Sequence, residues 1–149
     1  MATILVVDDD RPIRSTLKEI LEFEKFKVDD AEDGLAAISK VEKNTYDLIL
    51  CDIKMPKMDG IEVLQKIQEL KPEIPVVMIS GHGDIETAVG AIKMGAFDFI
   101  AKPLDLNRLL VTVRNALDRN ELVEETKQLR KKVYKSKLND IIGEGLIQA

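Results

Sequence analysis

Five side chains capable of polar chemistry follow short apolar runs in this sequence. Each of them stands within two positions of the end of such a run: Asp8, Asp9, Asp52, Ser80 and Lys102. If the runs are parallel β-strands, their carboxyl ends meet at one edge of a sheet, which is where open parallel sheets bind ligands. A single aspartate after a strand is often only a helix cap. The recurrence at four strand ends instead predicts a site.

The chemistry of that site follows from its charges. Asp8, Asp9 and Asp52 cannot all stay ionised side by side without a compensating cation, and a few carboxylates with water suit Mg²⁺. Lys102 adds a fixed positive charge and Ser80 a hydroxyl donor, so the site can neutralise the oxygens of a phosphoryl group. Since a carboxylate can carry a phosphoryl group as an aspartyl phosphate, Asp52 is the predicted nucleophile.

The elements that position these residues alternate between apolar runs and amphipathic segments. That pattern predicts an α/β fold with a doubly wound, five-stranded parallel sheet. The predicted strands cover residues 4–7, 26–28, 46–51, 76–79 and 97–100.

Helix starts and apolar faces are predicted from capping residues and periodicity. Asp10 is expected to cap the first helix, and Asp84 to cap the fourth. The fourth helix should direct Ile85, Ala88, Val89 and Ile92 towards the sheet. The last helix, after Asp105, should bury Leu106, Leu109, Leu110, Val113 and Leu117.

Composition excludes several classes of protein. The 149 residues include 45% hydrophobic and 33% charged residues, with a net charge of −5, which argues against a general nucleic-acid binder. One cysteine excludes a disulfide framework and a multi-cysteine zinc site. No apolar run reaches the ~18 residues of a membrane span, and no signal peptide precedes the first strand. We therefore expect a cytoplasmic domain.

Four segments together resemble the receiver domain of two-component response regulators. They are Val-Val-Asp-Asp-Asp at 6–10, Cys-Asp-Ile-Lys-Met-Pro-Lys-Met-Asp-Gly at 51–60, Ile-Ser at 79–80 and Ala-Lys-Pro at 101–103. The resemblance covers residues 3 to about 118, and it implies the flavodoxin-like (CheY-like) version of the fold. It also implies a signalling switch that a sensor histidine kinase phosphorylates, rather than an enzyme.

The resemblance assigns the phosphorylation and metal-binding roles by position. Asp52 is similar to the phosphorylated aspartate of the family. Asp9 corresponds to a direct Mg²⁺ ligand, with Asp8 holding a metal-bound water. Asp52 and the backbone carbonyl of Lys54 complete the expected Mg²⁺ ligands.

The resemblance also assigns the residues of a conformational switch. Ser80 corresponds to the hydroxyl that turns towards the phosphoryl group, and Lys102 to the lysine that pairs with it. Phe99 corresponds to the aromatic rotamer switch, although it lacks the hydroxyl of the commoner tyrosine. The Lys102–Pro103 bond is expected to be cis, as in the family. The movements of Ser80 and Phe99 are expected to shift the helix that begins near Asp84.

Two further segments, residues 79–88 and 95–100, resemble the nitrogen-regulator-C group of sigma-54 activators. The resemblance implies a receiver (1–118), a linker (119–140) and, at 141–149, the start of an AAA+ domain, with a DNA-binding domain elsewhere in such proteins. The linker carries a sparse apolar seam of Leu122, Leu129 and Val133. It is either a solvated helix or a weak coiled coil that makes a homodimer, and phosphorylation could either make or break that dimer.

Other functions match the sequence less well. A phosphohydrolase of the haloacid dehalogenase type also uses an aspartyl nucleophile, but it needs a second Asp two residues on, where Lys54 stands, and places its nucleophile on the first strand. A flavodoxin-like electron carrier would need flavin-stacking aromatic residues near the strand ends. Among receivers, a free-standing protein or one with a different output domain is the alternative to a sigma-54 activator.

Overall fold

A computed structural model describes residues 2–81 and 83–118, which form one five-stranded parallel sheet with strand order β2-β1-β3-β4-β5. The predicted linker and the start of a following domain lie outside the described residues. The strands are β1 (Thr3–Val7), β2 (Lys27–Ala31), β3 (Leu48–Asp52), β4 (Val76–Ser80) and β5 (Asp98–Ala101). The helices are α1 (Arg11–Phe23), α2 (Gly34–Lys43), α3 (Gly60–Leu70), α4 (Ile85–Lys93) and α5 (described over 106–118).

Helices cover both faces of the sheet, as the continuous apolar strands predict. Residues of α1 and α5, among them Leu17 and Leu109, pack on the face that contains Ile4 and Val6. Helices α2, α3 and α4 pack on the opposite face. Strand β1 pairs with both β2 and β3, so the chain changes direction across the sheet beside β1. In this fold class, that switch point is where ligands bind.

The second strand differs from its prediction. It runs over Lys27–Ala31, further along the chain than the predicted 26–28. Two adjacent aspartates, Asp29 and Asp30, lie within it, and acidic residues are uncommon in strands. They are tolerated because β2 is an edge strand, where their side chains reach basic partners.

The burial predicted for α4 is confirmed for Ala88 but is wrong for the three larger apolar residues. Ile85, Val89 and Ile92 are 49%, 43% and 38% exposed, whereas Ala88 and Ala91 are buried against the sheet. Small residues allow the helix to lie close to the strands, and larger neighbours are left towards solvent. In α5, Leu109 and Val113 are buried as predicted, but Leu106 is exposed. Within the described residues, no helix is long and apolar enough to span a membrane.

Candidate functional site

The carboxyl ends of four strands bring the predicted site residues together. Asp8 follows β1, Asp52 ends β3, Ser80 ends β4 and Lys102 follows β5. Strand register places Asp52 level with Ile79 on β4. One carboxylate oxygen from each of Asp8, Asp9 and Asp52 lies within 4.8 Å of the others. The sequence therefore predicted the assembly of this cluster correctly.

Lys102 is the basic residue of the cluster. Its Nζ lies 3.4 Å from Asp52 Oδ1 and 3.6 Å from Asp8 Oδ2. Two aspartates thus share one ammonium group, at distances longer than a good charge-assisted hydrogen bond. The peptide bond that follows, Lys102–Pro103, is cis, as expected.

The pKa values of the site carboxylates reflect a shortage of positive charge, since one lysine serves two aspartates. Asp52 is only 4% exposed. Burial, together with the nearby charge of Asp8, raises the pKa of Asp52 to about 6, although Lys102 acts in the opposite direction. Burial also raises the pKa of Asp8. Because burial disfavours the charged form, both carboxylates would be stabilised by additional positive charge.

The donor atoms fit a hard divalent cation. Asp8 Oδ1 accepts a hydrogen bond from the Asp10 amide at 2.9 Å, but Asp8 Oδ2 is buried and accepts no hydrogen bond from any described residue. Buried polar atoms are rarely left unpaired unless a ligand completes them. Asp9, unlike Asp8, is exposed and adds an accessible carboxylate. Carboxylate oxygens with space for water are the environment that Mg²⁺ prefers.

Arg14 is a supporting residue that sequence reasoning missed. Its Nη1 donates to the Asp8 carbonyl oxygen at 2.7 Å, and its Nε donates to Asp30 at 2.8 Å. It thereby ties the end of β1 to α1 and β2. A lone arginine on a helix gives no sequence signal, because its partners are distant in the chain or are backbone atoms.

The loop after Asp52 is held by Gly60. The Gly60 amide donates to the carbonyl oxygen of Ile53 at 2.7 Å. A Cβ at position 60 would lie 2.2 Å from the carbonyl oxygen of Asp52, so only glycine permits this close approach. Asp59 caps α3 by accepting a hydrogen bond from the Glu62 amide at 3.0 Å. The start of α3 is therefore fixed against the end of β3.

Ser80 and Phe99 lie on adjacent strands. Ser80 is fully buried, and its Oγ has no hydrogen-bond partner in the described structure. Phe99, one strand away on β5, is half-buried against the core face that carries α4. A buried hydroxyl without a partner can donate to a new acceptor at modest cost.

Asp84 does not cap α4, contrary to the prediction. Its carboxylate is buried and pairs instead with Lys54, whose Nζ lies 3.0 Å from Asp84 Oδ1. This contact joins the loop after Asp52 to the start of α4. The sequence did not indicate it, because a lysine in a loop is usually solvated.

Comparison with known proteins identifies the family. Residues 4–114 match the family model described as response regulator receiver domain. The chain is 43% identical over 121 residues to the transcriptional regulatory protein ZraR of Klebsiella oxytoca, covering 81% of this chain and 27% of ZraR. It is also 43% identical over 129 residues to the nitrogen assimilation regulatory protein NtrX of Azorhizobium caulinodans, covering 85% of this chain and 28% of NtrX.

A solved structure shows the same fold. The receiver domain of NtrX from Brucella abortus superposes with a TM-score of 0.75 at 43% identity, covering 77% of this chain and 98% of that one. The chain spans between a quarter and a third of the length of the curated relatives that it matches. These relatives are regulators of the nitrogen-regulator-C type, which confirms the group indicated by the sequence. The chain belongs to the response regulator receiver domain family and is a receiver domain of the two-component signalling systems.

Proposed function

We propose that Asp52 is the phosphoacceptor of this receiver and that Lys102 and Ser80 assist the transfer. The observation that carries the proposal is the position of Asp52, which is buried at a strand end beside the Asp8 carboxylate and 3.4 Å from the Lys102 ammonium. Its pKa of about 6 leaves most of the carboxylate ionised at pH 7, and only the ionised form is nucleophilic.

The transfer is a substitution at phosphorus. A carboxylate oxygen of Asp52 forms a new bond to the phosphorus of a phosphohistidine on the kinase, and the bond from phosphorus to the histidine nitrogen breaks. The electron pair of that bond stays on the imidazole nitrogen, and Asp52 becomes an acyl phosphate. Lys102 remains protonated, pairs with the phosphoryl oxygens and limits the charge that accumulates.

Asp8, Asp9, Asp52 and the backbone carbonyl of Lys54 would hold Mg²⁺ in the active receiver. When bound, the ion supplies the positive charge that one lysine cannot provide for three carboxylates and a phosphoryl group. The buried Asp8 Oδ2, which accepts no hydrogen bond from the described residues, supports this assignment.

The phosphoryl group then changes the neighbouring strand ends. The Ser80 hydroxyl donates to it, because charge-assisted hydrogen bonds are roughly twice as strong as neutral ones. The Phe99 ring moves into the vacated space, and α4 shifts. The large exposed side chains of α4 support this mechanism, since a helix with few buried contacts moves at low cost.

Around this domain we infer the organisation of a sigma-54 activator. Residues 1–118 are the receiver, 119–140 form a linker that pairs two chains, and 141–149 begin an AAA+ domain that a DNA-binding domain follows. A sensor histidine kinase is the phosphoryl donor, and the location is cytoplasmic. The relationship to ZraR and NtrX supports this organisation. A free-standing receiver, or one with a different output domain, is the alternative.

Phosphorylation is tested by incubating the chain with acetyl phosphate and Mg²⁺ and measuring its intact mass. We expect one phosphoryl group on the wild type and none on Asp52→Asn. Asp30→Asn is the matched control, because Asp30 also lies near the carboxyl end of a strand but pairs with Arg14. Full labelling of Asp52→Asn would place the phosphoacceptor elsewhere.

The linker is tested by sedimentation of the whole chain and of a chain ending at Asp118. Each is measured with and without beryllofluoride, which mimics the phosphoryl group. We expect the whole chain to form a dimer whose affinity differs between the two states. Identical masses for both chains in every condition would show that the linker does not pair.

A further inference from the structure

The start of α4 differs from the start of the three preceding helices. In α1, α2 and α3 an aspartate precedes the helix and accepts a hydrogen bond from the third helical amide: Asp10 from Ile13, Asp33 from Ala36 and Asp59 from Glu62. Asp84 occupies the same position before α4, yet its side chain caps nothing. The corresponding amide, that of Thr87, lacks a side-chain cap.

The backbone of Asp84 matches this difference. The three capping aspartates have extended backbones, with ψ values of 106°, 174° and 171°. Asp84 has ψ 16°, outside this extended range, and its carboxylate makes no cap hydrogen bond to the helix. Gly83, with φ +89° and no atom near a hypothetical Cβ, precedes it and permits rotation of this segment.

Lys54 holds Asp84 in this conformation. The Asp84 side chain is 6% exposed, so its carboxylate needs a donor, and the Lys54 ammonium supplies it at 3.0 Å. The Lys54 side chain is 75% exposed, which makes the ion pair weak and comparable in strength to an N-cap hydrogen bond. Asp84 therefore has two competing partners of similar strength.

Both ends of this pair are connected to the phosphorylation site. Lys54 lies two residues after Asp52, and Asp84 lies four residues after Ser80. A phosphoryl group on Asp52 adds negative charge close to Lys54, whose long exposed side chain can turn towards it. A Ser80 hydroxyl that turns to the same group moves the loop that carries Asp84.

We propose that Asp84 exchanges partners during signalling. Before phosphorylation, Asp84 is paired with Lys54 and α4 is uncapped; after phosphorylation, Lys54 is released and Asp84 caps α4 at Thr87. The pair thus acts as a latch between the loop after Asp52 and the first turn of α4. This inference rests on the proposed function for its trigger, but not for the competition between the two partners.

The competition is tested by amide exchange at Thr87, measured by NMR on the whole chain. Lys54→Met removes the ammonium and keeps the backbone, whereas Asp84→Asn keeps a good capping side chain and loses the charge. In both variants we expect the unphosphorylated protein to exchange the Thr87 amide about fivefold more slowly than the wild type, the factor that corresponds to a typical N-cap of ~1 kcal/mol. The double variant should show the same slowing as each single one, because both remove one interaction.

Two further variants complete the test. Asp84→Ala can neither pair nor cap, so its Thr87 amide should exchange as fast as in the unphosphorylated wild type, whether or not beryllofluoride is added. Lys57→Met is the control for loss of a lysine from the same loop, because Lys57 makes no ion pair among the described residues. It should leave Thr87 exchange unchanged in the unphosphorylated state. The amides of Ala36 and Glu62, which are already capped, serve as internal references.

The trigger is tested on the wild type with beryllofluoride and Mg²⁺, where the Thr87 amide should slow to the rate found in Asp84→Asn. Equal Thr87 exchange in the wild type, Lys54→Met and Asp84→Asn without beryllofluoride would overturn the latch. If Thr87 exchange slows as expected in those variants but Asp52 of the wild type is not phosphorylated, the proposed function is overturned. The competition of Lys54 and the Thr87 amide for Asp84 would then stand without that trigger. A third outcome would overturn the exchange of partners: the variants slow Thr87 amide exchange, but the phosphorylated wild type exchanges this amide as fast as the unphosphorylated one.

Discussion

Two groups of aspartates lie on this sheet, and they are compensated differently. The site cluster consists of Asp8, Asp9 and Asp52, and two of its members, Asp8 and Asp52, share the ammonium of Lys102. The β2 cluster, Asp29 and Asp30, has a basic partner for each carboxylate: Lys40 lies 2.9 Å from Asp29, and Arg14 lies 2.8 Å from Asp30.

The pKa values of Asp29 in the β2 cluster and of Asp52 in the site cluster are shifted in opposite directions. Burial alone would raise the pKa of Asp29, but hydrogen bonds from Tyr46 Oη at 2.6 Å and from Lys40 outweigh it, so the pKa is lowered. In the site cluster the effect of burial outweighs that of Lys102, so the pKa of Asp52 rises to about 6. Counting aspartates therefore does not identify a functional site. The incomplete compensation of their charge does, because it leaves room for a cation and a phosphoryl group.

The largest effect should come from Asp52→Asn, which should raise the free energy of unfolding at pH 7 without Mg²⁺ by about 2–3 kcal/mol. Because the folded protein binds a proton at Asp52 more tightly than the unfolded chain does, ionised Asp52 destabilises the fold above pH 6. The gain of the variant should therefore shrink as the pH falls from about 6 towards 4. Urea unfolding at several pH values measures it. Asp9→Asn, at an exposed carboxylate, should gain less; a loss of stability in Asp52→Asn at pH 7 would contradict the comparison.

A second effect should come from Mg²⁺. At ten times its dissociation constant, Mg²⁺ should stabilise the wild type by about 1.4 kcal/mol, because it binds only the folded site. Asp29→Asn should respond as the wild type does, whereas Asp52→Asn should respond less. Urea unfolding with and without Mg²⁺ distinguishes the clusters. An equal response of Asp52→Asn and the wild type would mean that Asp52 is not a ligand.

A smaller effect of opposite sign is expected for Asp29→Asn, which should lower the free energy of unfolding at pH 7 by about 1 kcal/mol. The side chain of Asp29 is 40% exposed, so solvent screens part of its ion pair with Lys40. Since the folded pKa lies below its ordinary value of 3.8, the stabilisation is present above that pH and is lost as the pH falls through the lowered pKa. Unfolding curves at pH 7 and pH 3 measure this, with Glu32→Gln as a nearby exposed control. No loss at pH 7 would show that the β2 cluster contributes nothing to stability.

The smallest effect is expected for Tyr46→Phe, which removes one donor to Asp29 while Lys40 remains. We expect a loss of about 0.5 kcal/mol at pH 7, since water can replace the hydroxyl at a partly exposed carboxylate. In the double variant with Asp29→Asn, the two losses should not add, because both report on one hydrogen bond. Strict additivity would show that the contribution of Tyr46 to stability comes only from its ring.

The sequence predicted the parallel sheet and the site cluster because both depend on local patterns. Apolar runs such as residues 76–79 identify buried strands, and parallel strands bring the residues that follow them to one edge. Asp10 was predicted to cap α1, and it does so through the Ile13 amide. These signals need only neighbouring residues.

The errors concern residues whose structure depends on distant partners. The side chain of Asp84 was assigned to capping because it precedes a helix, but Lys54, 30 positions earlier, binds it instead. The large apolar residues of α4 were assigned to the core together with Ala88, yet the small residues Ala88 and Ala91 alone provide the close contact with the sheet. Arg14, Lys40 and Tyr46 gave no signal, because their roles depend on Asp29 and Asp30 lying in a strand that was predicted to end earlier.

The polar edge of the sheet has a consequence for how this domain avoids aggregation. An edge strand exposes backbone groups that can pair with the edge of another molecule, and β2 is such a strand. Lys40 donates to the carbonyl oxygen of Asp30, so one of these groups is already occupied by a side chain. Lys27, Asp29 and Asp30 add charges along the same strand. A second sheet approaching this edge would have to remove those charges from water and displace Lys40, so the joining of two copies through their β2 edges is disfavoured.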